Sequence, residues 1–178
     1  MDLELLTWML ARVAGLSAFA ALSMSLLSGL AIRTGLLDWL GGNRVLRSVH
    51  EYTTVLWMPL GGLHVLALLL DRTARIRPLD LLVPFLVPYG RLAIGLGTLT
   101  LQVLLLVTVT GFLRRRMSAE AWQWLHRLSY LAVALVFLHA LLAGSDLGDP
   151  VVAALVWATA AALALLTAAR VIWGRLPA

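Results

Sequence analysis

The chain has 178 residues, 61% of them hydrophobic, and a mean hydropathy of +0.92. This composition is typical of an integral membrane protein. There is no cysteine, which excludes disulfides, thiolate-bound iron–sulfur clusters and covalent c-type haem. The net charge of +5 comes from arginine alone, since the chain lacks lysine. In an apolar chain this charge indicates loop topology and anionic lipid headgroups rather than nucleic acid.

Five apolar runs are long enough to cross a hydrocarbon core of roughly 30 Å, and each is predicted to be a helix. They cover residues 5–31, 49–71, 91–113, 122–142 and 151–173. The sequence therefore predicts an all-α integral membrane bundle of five transmembrane helices, forming one domain over residues 1–178. A further apolar stretch, residues 78–90, is too short to cross and contains three prolines. It is expected at the outer surface, either as a lid over a site or as a simple interfacial loop.

The distribution of arginines predicts the orientation. With five spans the termini lie on opposite faces, and nine arginines share one face against five on the other. The nine are Arg33, Arg44, Arg47, Arg114, Arg115, Arg116, Arg127, Arg170 and Arg175. Positive charge accumulates on the cytoplasmic side, so the N-terminus is predicted outside and the C-terminus in the cytoplasm. The expected location is the plasma membrane or the bacterial inner membrane.

All four histidines lie in two of the apolar runs. His50 and His64 are 14 positions apart in the second run, and His126 and His139 are 13 apart in the fourth. At about 1.5 Å of rise per residue, each pair spans roughly 20 Å, or two thirds of a hydrocarbon core. Each helix therefore offers one imidazole near each membrane face.

Ionisable side chains inside a membrane are costly and indicate function. Two neutral imidazoles on facing helices suit a haem iron, which takes one axial ligand from each side. We predict that His50 and His126 hold an inner haem and that His64 and His139 hold an outer one. Thirteen steps at about 100° leave His126 and His139 roughly 140° apart, so a helix distortion or an offset haem is required. The alternatives are isolated histidines hydrogen-bonded between helices, or another metal, which would normally need carboxylate or thiolate ligands nearby.

Three arginines are candidate partners for haem propionates. Arg47 lies a turn before His50, and Arg127 is adjacent to His126. Arg12 lies two turns into the first run, where an unpaired guanidinium would be expensive. Its alternative is to extend its side chain to the headgroups.

Three residues of the second run are candidates for contact with the macrocycles. Trp57 is seven residues from His50 and from His64, which predicts a position between the two haems. Packing is the alternative role for this indole. Gly61 and Gly62 precede His64 by about one turn and would let a flat ring approach the backbone.

Several stretches resemble the ferric reductase-like transmembrane domain, over about residues 8 to 173. The residues that carry the resemblance are RSVHEYTTVLWMPLGGLH, RPLDLLVPF, GFLRRR and WQWLHRLSYLAVALVFLHALLAGSD. That superfamily includes ferric reductases, NADPH oxidases and the haem-binding membrane subunit of the periplasmic methionine sulfoxide reductase system. The resemblance implies two stacked haems b, with His50 and His126 as the inner and His64 and His139 as the outer ligands.

Two haems stacked across a membrane predict a b-type cytochrome subunit. Its donor would be a cytoplasmic or membrane flavin, flavoprotein or quinol, and its acceptor ferric iron, oxygen or a redox protein on the outer side. Family members often carry a soluble flavin and nicotinamide domain, but the sequence has no G-x-G-x-x-G loop. We therefore expect an oxidoreductase subunit with a separate donor and no dehydrogenase domain, and a flavin or quinone bound only transiently.

Two alternatives accompany this prediction. One is the haem-binding membrane subunit of a methionine sulfoxide reductase system. The other is a haem-free transporter or assembly protein with a histidine proton path. A proton path predicts acidic residues deep within the helices, and the apolar runs contain almost none.

Overall fold

The computed structural model describes residues 3–34 and 42–173, and these form five long helices. They are α1 (Leu3–Thr34), α2 (Gly42–Leu70), α3 (Arg91–Phe112), α4 (Ala119–Ala143) and α5 (Pro150–Trp173). Each helix is long and apolar enough to cross a membrane, and the described ranges contain no strand. The prediction of an all-helical protein with five spans is confirmed. Arg175 and the two chain ends lie outside the described residues, so the orientation stays a prediction.

The chain divides into two compact units, and the single-domain organisation stays a prediction. The first unit runs to Thr73 and resumes at Asp146, so it contains α1, α2 and α5. The second unit covers residues 74–145 and contains α3 and α4. The two histidines of α2 therefore lie in the first unit, and the two histidines of α4 lie in the second.

Helix α1 forms the core of the first unit through a stripe of small residues. Ala11, Ala14, Ala18, Ala21 and Ser25 recur every three or four positions and are all buried. Small side chains let helix backbones approach closely, which is how membrane helices associate without a hydrophobic driving force. Both α2 and α5 pack against α1. Close backbone approach between α1 and α2 is what brings the histidines of α2 within reach of carbonyls on α1.

The second unit is built on the antiparallel pair α3 and α4. A short connection containing a 3-10 turn at Arg114–Arg116 joins them, and Ser118 caps the start of α4. The Ala121 backbone N–H donates to Ser118 Oγ over 3.2 Å, which satisfies one otherwise unpaired donor of the first turn. This connection keeps the two helices adjacent along their length.

The proline-rich segment before α3 is folded against that helix. It begins with a 3-10 turn at Pro78–Leu81, and Phe85 has a φ of +64° that lays its ring against Gly95. Relative to Ala93, Gly95 lies about 200° around the helix, so the segment occupies a different face of α3 from the one that meets α4. The Asp80 carboxylate accepts hydrogen bonds from the Arg77 side chain and backbone.

Candidate functional site

His64 is held against the bare backbone of α1. Its Nδ1 lies 2.7 Å from the carbonyl oxygen of Ala11. A Cβ added to Gly15, one turn further along α1, would come within 2.8 Å of that same Nδ1. Because a carbonyl only accepts, Nδ1 carries the proton and the lone pair of the neutral ring lies on Nε2.

His50 meets α1 in the same way at the other end of the unit. Its Nδ1 lies 2.8 Å from the carbonyl oxygen of Ser25, and a Cβ on Gly29 would come within 3.2 Å of Cε1. Ser25 also contributes its hydroxyl, which lies 3.3 Å from the same Nδ1 and 2.7 Å from Thr54 Oγ1. The contact again fixes the proton on Nδ1.

His139 repeats the arrangement in the second unit. Its Nδ1 lies 2.7 Å from the carbonyl oxygen of Ala93, and a Cβ on Gly97 would come within 2.8 Å of Cε1. We call each set of a carbonyl-bearing residue and a glycine four positions later a histidine seat. The three seats are Ala11 with Gly15, Ser25 with Gly29, and Ala93 with Gly97.

His126 has a different environment. Its ring stacks on Trp122, with 4.9 Å between ring centroids and 17° between planes, and the Arg114 guanidinium lies 4.3 Å from the centre of the Trp122 ring. Thirteen residues beyond Ala93 and Gly97, α3 offers Leu106 and Thr110. The Thr110 hydroxyl itself donates to the Leu106 carbonyl over 2.7 Å. At the level of His126, α3 therefore has a threonine in place of the glycine, and the carbonyl that matches Ala93 already accepts a hydrogen bond from that threonine.

Arg12 is paired within the first unit. Its Nε donates to Asp146 Oδ2 over 3.1 Å, and a second donor of the same guanidinium contacts the other carboxylate oxygen. The guanidinium also lies 4.1 Å from the centre of the Trp8 ring. Sequence reasoning named headgroups or a propionate as its partners and missed Asp146, which is 134 positions away in the chain. Its propionate role stays a prediction.

The remaining predicted residues are distributed along α2 and α4. Arg47 is exposed, and exposed Arg127 lies 4.6 Å from the centre of the Trp124 ring. Trp57 is buried, and its ring fills the space beside Gly61, where a Cβ would meet it at 3.2 Å. Gly62 has nothing within 4 Å of the corresponding position among the described residues. The roles of these five residues toward a macrocycle stay predictions.

The seats are the part of the site that sequence reasoning missed, although a signal exists. Subtracting their positions gives a spacing of 14 on α1 between Ala11 and Ser25, and also between Gly15 and Gly29. His50 and His64 are likewise 14 apart. Helix α1 therefore carries two small-x-x-x-Gly motifs with the same spacing as the two histidines of α2. This match predicts that α1 and α2 are antiparallel and that each motif receives one imidazole.

Within residues 3–34 and 42–173, no three histidine or acidic side chains are grouped as ligands for a metal ion. The donors that the structure offers are therefore single imidazoles, each held at Nδ1 or by stacking.

A comparison with known protein families covers most of the chain. The family model described as ferric reductase like transmembrane component matches residues 14–137, which is 124 of the 178 positions. The match includes His50, His64 and His126 and ends two residues before His139. No significant match was found among curated proteins or among solved structures.

Proposed function

This chain belongs to the ferric reductase-like transmembrane family, and we propose that it is a b-type cytochrome subunit that carries electrons across the membrane. Family membership indicates a transmembrane redox function. The proposal adds two haems b, with His50 and His126 as axial ligands of the inner one and His64 and His139 as those of the outer one. The pairing follows the histidine spacing and the family resemblance.

The observation that carries this proposal is the Nδ1 contact of three of the four histidines with a helix carbonyl. Metal-binding histidines nearly always donate their second ring N–H to a carbonyl, carboxylate or water, which fixes the tautomer and raises the basicity of the ligating nitrogen. The seats of His50, His64 and His139 fix the proton on Nδ1 and raise the basicity of Nε2, the nitrogen that would bind the metal. A histidine acting as a proton relay would instead need both nitrogens to exchange protons.

The residues present fit a haem by the chemistry of their donors. A neutral imidazole with its lone pair on Nε2 is the usual axial ligand of a b-type haem. A bound haem would supply reversible one-electron chemistry between ferric and ferrous iron. Arg47 and Arg127 are the candidate donors to propionates at one end, and Arg12 is the candidate donor at the other.

The donor in this proposal is a cytoplasmic or membrane flavin, flavoprotein or quinol, and the acceptor lies on the outer side. Ferric iron is the acceptor that the family description favours, and oxygen or a redox protein are the others. Arg114, Arg115 and Arg116 are all exposed at the connection between α3 and α4. Such a cluster favours a donor protein with an acidic surface, because opposite charges speed encounter.

The test is haem content by site. The protein is purified in detergent, haem is quantified as the pyridine adduct, and reduced-minus-oxidised spectra are recorded. We expect about two haems b per chain, and about one after His64→Ala with His139→Ala or after His50→Ala with His126→Ala. Thr53→Ala is the control, because the Thr53 hydroxyl donates to the Val49 and His50 carbonyls of its own helix. Haem-free protein from haem-replete cells would contradict the proposal.

A further inference from the structure

The segment that precedes α3 is bonded to the middle of that helix. Helix α3 has 22 residues, about 33 Å, which is close to the thickness of a hydrocarbon core. The Thr98 hydroxyl donates to the carbonyl of Asp80 over 3.1 Å. The Gln102 amide donates to the carbonyls of Leu81 and Leu82 over 3.2 and 2.9 Å. Thr98 and Gln102 lie roughly 10 and 16 Å along α3 from its first residue.

The neighbouring helix shows how far the apolar surface extends. The contact between His139 and Ala93 places the C-terminal end of α4 level with the first turn of α3. On α4 at that level, Leu138 and Leu142 are 45% and 54% exposed. Exposed leucines on a membrane helix face lipid, so the hydrocarbon reaches the level of Ala93. Thr98 and Gln102 are five and nine residues deeper, or roughly 8 and 14 Å.

We propose that residues 78–87 form a re-entrant segment that lies among the lipid acyl chains, in the leaflet at the N-terminal end of α3. The segment presents apolar side chains outward. Those exposed are Leu79 (52%), Leu82 (72%), Val83 (44%) and Leu86 (41%). A loop at the aqueous surface would expose polar side chains in these positions. The partner of this surface is therefore lipid.

Irregular backbone survives at membrane depth only if its polar groups are satisfied by protein. Thr98 and Gln102 serve three consecutive carbonyls of the segment, those of Asp80, Leu81 and Leu82. The prolines at positions 78 and 84 have no N–H to satisfy. These features satisfy the carbonyls of residues 80–82 without water.

The charged residue of the segment, Asp80, is neutralised by Arg77, which immediately precedes the segment. The Asp80 carboxylate accepts from the Arg77 backbone N–H over 2.8 Å and from two donors of its guanidinium over 3.2 and 3.0 Å. The Asp80 side chain is only 2% exposed, whereas that of Arg77 is 65% exposed. Arg77 can therefore extend toward the headgroups while it pairs with Asp80, and the pair adds no net charge to the leaflet.

The chain has no cysteine, so single substitutions report position cleanly. The experiment compares Leu82→Cys with Leu105→Cys, a 49% exposed leucine of α3, and with exposed Arg72→Cys beyond the end of α2. The variants are made in the full chain, in opened membranes, and are labelled with a charged maleimide. We expect Leu82→Cys to react like Leu105→Cys and roughly tenfold or more slower than Arg72→Cys, because the reactive thiolate is disfavoured in hydrocarbon.

A nitroxide attached at Leu82→Cys separates lipid from protein burial. Collision with oxygen and protection from a water-soluble nickel complex would support the re-entrant segment. Collision with nickel would place the segment in water, and protection from both reagents would place it under protein. Either of these two results overturns the proposal. None of the measurements requires haem.

Discussion

The two ends of α4 hold their histidines by different means. His139 lies on the glycine of a seat and contacts a carbonyl of α3, whereas His126 lies on the indole of Trp122, one turn earlier on its own helix. The two residues differ by 13 positions, and on an ideal helix this turns them about 140° apart. Helix α2, with 14 positions between its histidines, presents both to α1. A spacing of 14 thus accompanies two seated imidazoles on α2, and a spacing of 13 accompanies one seated imidazole on α4.

The comparison also identifies what makes a seat. A carbonyl is available on every turn of α3, yet the imidazole of His139 lies where the next turn carries Gly97. At the matching level for His126 the next turn carries Thr110, whose hydroxyl already donates to the Leu106 carbonyl. Absence of a side chain, rather than presence of an acceptor, therefore selects the position.

The largest effect is expected from filling a seat. Gly97→Ala places a methyl group 2.8 Å from Cε1 and 2.9 Å from Nδ1 of His139, so the ring or the helix must shift. We expect a loss of about 1 to 3 kcal/mol in the free energy of unfolding, as for other overpacked sites. The measurement is unfolding in detergent of the haem-free protein. If haem is bound as proposed, haem content at the outer site falls as well.

Gly111→Ala is the matched control, because it makes the same glycine-to-alanine substitution on the same helix. Nothing among the described residues lies within 4 Å of its added Cβ. Alanine favours a helix over glycine by roughly 1 kcal/mol, so this variant should be neutral or more stable. Equal destabilisation by the two substitutions would show that Gly97 is not part of a seat.

The two seats of α1 should differ in their tolerance. An added Cβ at Gly15 meets His64 at 2.8 Å, and one at Gly29 meets His50 at 3.2 Å. The contact at Gly15 requires the His64 ring or the helix to shift, whereas at Gly29 the His50 ring needs to move by only a few tenths of an ångström. We expect Gly15→Ala to lose about 1 to 2 kcal/mol of unfolding free energy and Gly29→Ala less than about 1 kcal/mol. The reverse order, measured in the same unfolding assay, would contradict the geometry of the seats.

Much of the fold follows from the sequence, because lipid leaves a membrane chain few choices. Every backbone polar group must be satisfied inside the segment, so five apolar runs become five helices. The ends are less well specified. Helix α2 begins at Gly42, seven residues before the predicted run. Its first two turns include polar residues, so a prediction based on apolar runs does not detect them.

The candidate site was only half accessible to sequence reasoning. The histidines stand out because ionisable residues are rare inside membranes. No single seat stands out, because a lone glycine in a membrane helix is common. The signal of the two seats on α1 appears only when their spacing of 14 is compared with that of His50 and His64. Asp146 as the partner of Arg12 required the tertiary structure, since 134 positions separate them. The depth of the segment at Pro78–Leu81 likewise depends on side-chain amide and hydroxyl contacts that no periodicity reveals.

The most local effect tests the exception in α4, because it is measured as the chemical shift of one histidine rather than as a change in stability. Trp122→Ala removes the ring that stacks on His126 and with it the cation–π contact of Arg114, which together contribute roughly 1 to 2 kcal/mol. The chain has four histidines, so labelling their ring carbons gives four Cε1–H signals by NMR, and His126→Gln assigns one of them. A stacked indole shields the protons above it, so Trp122→Ala should move the His126 signal downfield while the signals of the three seated histidines stay in place.

Trp124→Ala is the control for this measurement, because it removes an indole of the same size that contacts Arg127 instead of a histidine. If Trp124→Ala moved the His126 signal as far as Trp122→Ala does, the shift would report a general loosening of the first turns of α4. A shift confined to Trp122→Ala would instead establish that the two ends of one helix orient their imidazoles differently. The seated end relies on the backbone of α3, and the stacked end relies on a side chain of α4 that a single substitution removes.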